Sequence, residues 1–201
     1  MSNYQQATPP QLPQLSREVY AFLSTLKFAE GTDKYKNPYS TGFGGTQFDN
    51  KNGHPDKVFE GISAAAGAYQ FLPGTWDSVG GGPMTKDRQD WGATRLALSR
   101  LGLPQNQIGV DKFTARLKTR GMSQGLANTL APEWASFPTN SGKSYYGQPV
   151  KSLESLQNHY RKSLTPSIKN INLIKGGREV ELKIPELIQT KPKENPLSIY
   201  Q

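Results

Sequence analysis

Glycine and proline cut this sequence into short segments, and that punctuation governs what it can fold into. There are 20 Gly and 15 Pro in 201 residues, and the apolar periodicity restarts between breaks. Ser16 offers an N-cap hydroxyl, with Glu18 in the first turn where a helix favours negative charge. Val19, Phe22, Leu23 and Leu26 follow at helical spacing, and Gly31 stops the helix. Residues 63–71 are apolar and Ala-rich, and Pro73-Gly74-Thr75-Trp76 opens another helical stretch. The spacing predicts a helix over 87–101, with Trp91, Thr94, Leu98 and Leu101 on one side, ended by Gly102 and Pro104. Further helices are predicted over 110–120, 123–130 and 152–164. Between the first helix and the rest, Tyr35, Tyr39, Phe43, Phe48 and Phe59 lie among Gly42, Gly44, Gly45 and Gly53, which reads as short strands and loops. The expected class is α+β: a mostly helical body, a small β/loop lobe and a cleft between them.

The two ends differ from this middle. Residues 1–14 are Gln- and Pro-rich and read as an extended leader. Past Pro166, Ile171 and Leu173 precede Gly176-Gly177, and Val180, Leu182 and Ile184 alternate with charged residues. That period-2 pattern predicts a β-hairpin over about 168–184, followed by a Pro- and Lys-rich extended tail. The expected division is leader 1–14, body 15–165 and extension 166–201. A lone hairpin is barely stable in water. It either folds back onto the body or docks on another protein by adding to a sheet edge.

Lys and Arg number 24 against 16 Asp and Glu, a formal charge of +8. Such a surface attracts polyanions, either nucleic acid or the anionic polymers of a bacterial envelope. The basic residues are spread along the chain, densest at Arg95, Arg100, Arg116, Lys118 and Arg120, and no nucleic-acid stripe is predicted. Without cysteine there is no disulfide and no thiol catalysis. The start, Met1-Ser-Asn-Tyr-Gln-Gln, is not a signal sequence, and no window reaches the ~18 apolar residues of a membrane span. The expectation is synthesis in the cytoplasm, with delivery by something else if the substrate lies outside. His54 and His159 are too far apart in sequence to suggest a zinc shell, and no cofactor is expected. Gly121-Met122-Ser123-Gln124-Gly125 matches a nucleophile elbow in letters but falls between helical segments, where Ser123 reads as a helix cap.

Glu30 is the most informative residue. It follows Leu26 by four positions and Val19 by eleven, which puts it on the apolar face, in the last turn of its helix. Burial and the negative end of the helix dipole both disfavour a carboxylate there and raise its pKa. A carboxylic acid kept protonated near neutrality is what protonating a glycosidic oxygen requires. An ordinary solvated Glu before a stop glycine has the same spacing; the surrounding strings favour the acid.

Those strings are Ala29-Glu30-Gly31-Thr32-Asp33, Ala66-Gly67-Ala68-Tyr69-Gln70-Phe71, Trp134-Ala135-Ser136-Phe137-Pro138 and Tyr145-Tyr146-Gly147-Gln148, with Asn52-Gly53-His54-Pro55-Asp56 between the first two. In this order, over about residues 15–165, the chain resembles the lambda-type phage endolysins, lysozyme-fold lytic transglycosylases. The resemblance implies a two-lobed fold with Glu30 as catalytic residue at the floor of the cleft. It implies cleavage between N-acetylmuramic acid and N-acetylglucosamine, with the muramic 6-hydroxyl closing a 1,6-anhydro ring in place of water. It makes Tyr69 and Gln70 sugar contacts, and Trp134 and Tyr146 cleft or core aromatics. Gly31 stands where many larger bacterial transglycosylases have Ser after the catalytic Glu.

A hydrolytic muramidase needs a second carboxylate, and Asp33, Asp49 and Asp56 are the nearby candidates. Asp33 either touches substrate or closes the turn after Gly31. The expected partner is the peptidoglycan glycan strand, reached after release through a pore or from a phage tail or contractile injection particle bound through 166–201. A particle component that keeps the fold but has lost catalysis is the reading from another class.

Overall fold

The computed structural model describes residues 11–165 and two short strands beyond them. Helix α1 spans Arg17–Glu30 and is capped as its sequence dictates. The Ser16 Oγ accepts from the Val19 N–H at 3.2 Å and shares a hydrogen bond with the Thr114 hydroxyl at 2.9 Å, tying the helix start to a neighbour. At the other end Gly31 adopts φ +69°. The Gly31 N–H then reaches the Phe28 carbonyl and the Thr32 N–H the Lys27 carbonyl, a paired closure that a Cβ at Gly31 would strain.

Three short 3₁₀ turns follow (Pro38–Ser40, Phe43–Gly45, Asn50–Asn52), then α2 (Pro73–Ser78), α3 (Lys86–Arg100), α4 (Gln107–Arg120), α5 (Gln124–Leu130) and α6 (Leu153–Leu164). Each predicted helix is present within a few residues of its expected bounds, and Ser123 does cap α5, accepting from the Leu126 N–H. Helix α1 is the hub, packed by α3, α4 and α6. Val19, Phe22 and Leu26 are fully buried, and the Phe22 ring meets Phe113 of α4 edge-on at 5.1 Å. Each such side chain contributes about 1.5–3 kcal/mol when fully buried.

Two expectations are corrected. Among the described residues, segment 32–72 carries no extended strand, only isolated bridges: Thr41–Gln47, Gly42–Ala66, Phe59–Ser63 and Ala66–Phe71. Glycines interrupt the pairing, and Gly42 is needed because a Cβ there would overlap the Phe59 ring. On α3, Thr94 and Leu98 face inward as expected, but Trp91 and Leu101 are only partly buried. Gln89 and Asp90 are buried instead, at 0% and 2% exposure. An apolar-periodicity argument misses buried polar residues that are fully hydrogen-bonded.

Helix α4 gives a sharp test of packing. A Cβ on Gly109 would overlap the Pro104 backbone carbonyl, whereas one on Gly125 in α5 meets nothing within 4 Å. Gly109→Ala is expected to lose about 2–3 kcal/mol in urea unfolding. Gly125→Ala should gain up to about 1 kcal/mol from helix propensity. Equal effects at the two sites would contradict this packing.

Residues from Pro166 onward form a unit separate from the preceding body. There β1 (Leu173–Lys175) pairs antiparallel with β2 (Arg178–Val180), with Leu173 opposite Val180 and Lys175 opposite Arg178. The rest of the expected 168–184 hairpin, the tail after it and residues 1–10 of the leader lie outside the described residues.

Candidate active site

The end of α1 opens into a cavity of about 510 Å³. Glu30 is half-buried at its wall, and Ser136 Oγ donates to Glu30 Oε1 at 2.5 Å. Removal of water from around the carboxylate raises its pKa to about 7, against the opposing pull of the Ser136 hydrogen bond. The acid therefore holds its proton close to neutrality. Since Ser136 occupies Oε1, Oε2 is the oxygen left to carry that proton toward a ligand.

Gln70, Trp134 and Tyr146 share this cavity with Glu30. Gln70 sits at φ +51°, an unusual conformation for a non-glycine residue. Its Nε2 donates backward to the Gly67 carbonyl at 3.0 Å and toward that of Thr41 at 3.4 Å, which leaves Oε1 as the free acceptor. The Trp134 ring is 4% exposed, with Nε1 directed at the Tyr69 carbonyl, while Tyr146 is 62% exposed with its hydroxyl on the Pro132 carbonyl.

Tyr69, expected to touch sugar, and Asp33, expected either to touch substrate or to close a turn, are not among the residues lining this cavity. Tyr69 is 1% exposed and its hydroxyl donates to Asp90 Oδ1 at 2.5 Å. Asp90 also accepts from Tyr39 at 2.9 Å and, through Oδ2, from Lys86 at 2.7 Å. Burial first, and the Asp90 charge next, push both phenols above their usual range, so they stay protonated donors. Tyr69 thus positions the loop carrying Gln70. Gln89 holds the same loop by accepting from the Ala68 N–H at 2.8 Å, and the Thr32 hydroxyl donates to the Ala68 carbonyl at 2.7 Å. Asp33 is exposed and outside the cavity lining. Of the other acids considered, Asp49 caps its own turn through the Lys51 N–H, and Asp56 is exposed.

Ser136 and Glu133, both in the cavity lining, have no role assigned to them from the sequence. Ser136 lies inside the Trp134–Pro138 string, so its place was marked though its partner was not. Glu133 had no marker; it lines the cavity and accepts at Oε2 from Arg100 Nε and Nη2, at 3.0 and 2.9 Å. Glu30 and Glu133 are the carboxylates of this lining. His54 is engaged at both ring nitrogens, with Nε2 at the Phe71 carbonyl and Nδ1 accepting from the Asp56 N–H. Lys118 and Arg120, from the densest basic region, line another cavity with Arg17 and Arg161 that shares no lining residue with that of Glu30.

The family model for endolysins matches residues 20–166. This chain belongs to the endolysin family. No curated protein matches it. The match starts inside α1 and ends just past α6, so it takes in every element that builds the Glu30 cavity. Membership makes the chain a peptidoglycan-degrading phage lysis enzyme, acting on the cell wall. No helix among the described residues of this endolysin is long and apolar enough to cross a membrane.

Proposed function

We propose that this endolysin cleaves the β-1,4 bond between N-acetylmuramic acid and N-acetylglucosamine by lytic transglycosylation, with Glu30 as sole acid and base. The observation that carries the proposal is Glu30 itself: a desolvated carboxylic acid with a pKa of about 7, held by Ser136 at the wall of an open cavity. Glu30 gives its proton to the glycosidic oxygen as the C1–O bond breaks, and the N-acetylglucosamine leaves as an alcohol. The resulting carboxylate takes the proton of the muramic 6-hydroxyl, whose oxygen closes on C1. The ring product is 1,6-anhydro, and Glu30 regains its proton. No water is consumed.

Gln70 Oε1, Trp134 and Tyr146 are the sugar contacts in this reading, and Ser136 fixes the carboxyl plane. Segment 32–72 acts as a small lobe over the helical body. Residues 15–165 constitute the catalytic domain, and 166–201 an attachment element for a phage tail or injection particle. Free endolysin released through a pore is the alternative route to the wall.

A hydrolytic muramidase is the second reading, and Glu133 is what favours it, as a second carboxylate in the same cavity. Digestion of purified peptidoglycan with mass spectrometry of the fragments separates the two. Muropeptides ending in 1,6-anhydromuramic acid are expected, one water lighter than hydrolysis products. Reducing ends in their place would show that water attacks, and loss of that activity in Glu133→Gln would then identify Glu133 as the second carboxylate.

A further inference from the structure

The Glu30 cavity shares a wall with a neighbour. Leu72, Glu133 and Tyr146 line it and also line a second chamber of about 500 Å³. Thr75 and Ser78 of α2 and Arg100 at the end of α3 form part of the chamber's remaining lining. Among the described residues, Arg100 is the one cation of that lining and Glu133 its one acid. Both Nε and Nη2 of Arg100 point at a single oxygen of Glu133, so among the described residues the Nη1 edge has no partner. The Arg100 side chain is 43% exposed and that of Glu133 15%, so the guanidinium is the accessible half of the pair. Beside it, Leu72 and Tyr146 are more than half exposed, and the Tyr146 hydroxyl is held on the Pro132 carbonyl at 3.0 Å.

A glycan strand lying across Glu30 brings more than sugar. Peptides branch from its muramic acids, and they carry carboxylates and aliphatic side chains that the sugars lack. A branch leaving a strand bound at the cleavage site needs space that shares a wall with the site. The free fork edge of Arg100 matches a carboxylate, and the Leu72 and Tyr146 surfaces match aliphatic groups. We propose that the second chamber binds the stem peptide of the muramic acid held at Glu30, with Arg100 donating to a peptide carboxylate. The proposal rests on the glycan-cleaving reading of Glu30, and it makes Arg100 a determinant of specificity for peptide-bearing strands.

The test compares intact peptidoglycan with the same glycan stripped of its peptides by an amidase. Wild type is expected to cleave the peptide-bearing strand about tenfold faster, the value of one charge-assisted pair. In Arg100→Gln that ratio should fall to about one, and Arg100→Lys, which keeps charge without the fork, should lie between. A readout independent of cleavage is an NMR titration with free stem tetrapeptide. It should shift the amides of Thr75, Ser78 and Tyr146 in wild type and leave them in place in Arg100→Gln. Equal wild-type rates on the two substrates, or a titration that moves none of these amides, would overturn the proposal. Failure to cleave either substrate, with the amides still shifting, would instead sink the reading of Glu30 and leave the peptide site standing.

Discussion

Glu30→Gln is expected to lower wall cleavage at least a thousandfold while the protein remains folded. The amide keeps the shape of the side chain and can still accept from Ser136, but it has no proton to give. General acid catalysis contributes about 10²–10⁴-fold, and here one group serves as both acid and base. The wild-type rate should fall above pH 7 as the carboxyl, with its pKa of about 7, loses that proton. The same substitution has an opposite effect on stability. In the unfolded chain Glu30 ionises near 4.5, and in the folded chain near 7. Below 4.5 both states hold the proton and the residue is neutral to stability. From 4.5 to 7 the unfolded state alone releases it, so stability drops as pH rises and levels off above 7. The full cost is at most about 3 kcal/mol. Glu30→Gln should therefore exceed wild type in urea resistance at pH 8 and match it at pH 4. An inactive variant no more stable than wild type at pH 8 would mean that the carboxyl is not desolvated in the folded protein.

Asp90→Ala should be the most destabilising single change near the site. The residue is 2% exposed and one carboxylate satisfies the hydroxyls of Tyr39 and Tyr69 and the Lys86 ammonium. Removing it strands the fully buried Tyr69 hydroxyl and leaves a hole beneath the loop that carries Gln70. The expected cost is about 3–5 kcal/mol, or roughly 10 °C in Tm for a domain of this size. Lys86→Met is the control: it removes the ion-pair partner at 2.7 Å but leaves both tyrosine hydroxyls on the carboxylate and the Lys27 charge still acting on it, so the loss should be smaller, about 1–2 kcal/mol. Calorimetry on the two variants decides whether the tyrosines or the ion pair give Asp90 its weight. Similar losses would assign it to the ion pair.

What the sequence made legible is what local chemistry determines. Ser16 and Gly31 bound α1 because a cap hydroxyl and a left-handed glycine act within four residues of their partners. Glu30 was legible for the same reason, since its face and turn follow from counting along one helix. The partners that complete the site are distant in sequence. Ser136 lies 106 residues from Glu30, and Arg100 lies 33 from Glu133. No periodicity connects either pair. Tyr69 shows the limit from the other side. Its string drew attention to the right loop, but whether the ring faces sugar or core depends on Asp90, which comes from α3. The expectation of strands in 35–59 failed because scattered aromatics and glycines suit closely packed turns as well as they suit short pairing.

The first and last helices of the body clasp each other. Phe28 of α1 stacks on His159 of α6 at 4.5 Å, and Ser24 bonds to both His159 and Ser163. During translation α1 emerges first, yet the surface it packs against is made last. A nascent chain that has not reached α6 carries Glu30 on a helix with one flank bare. One stopped before Ser136 also lacks the hydroxyl that orients the acid. Ribosomes that stall, or messages that are cut short, thus release fragments without the assembled site. The helix that carries Glu30 is fully packed only once α6 has been made.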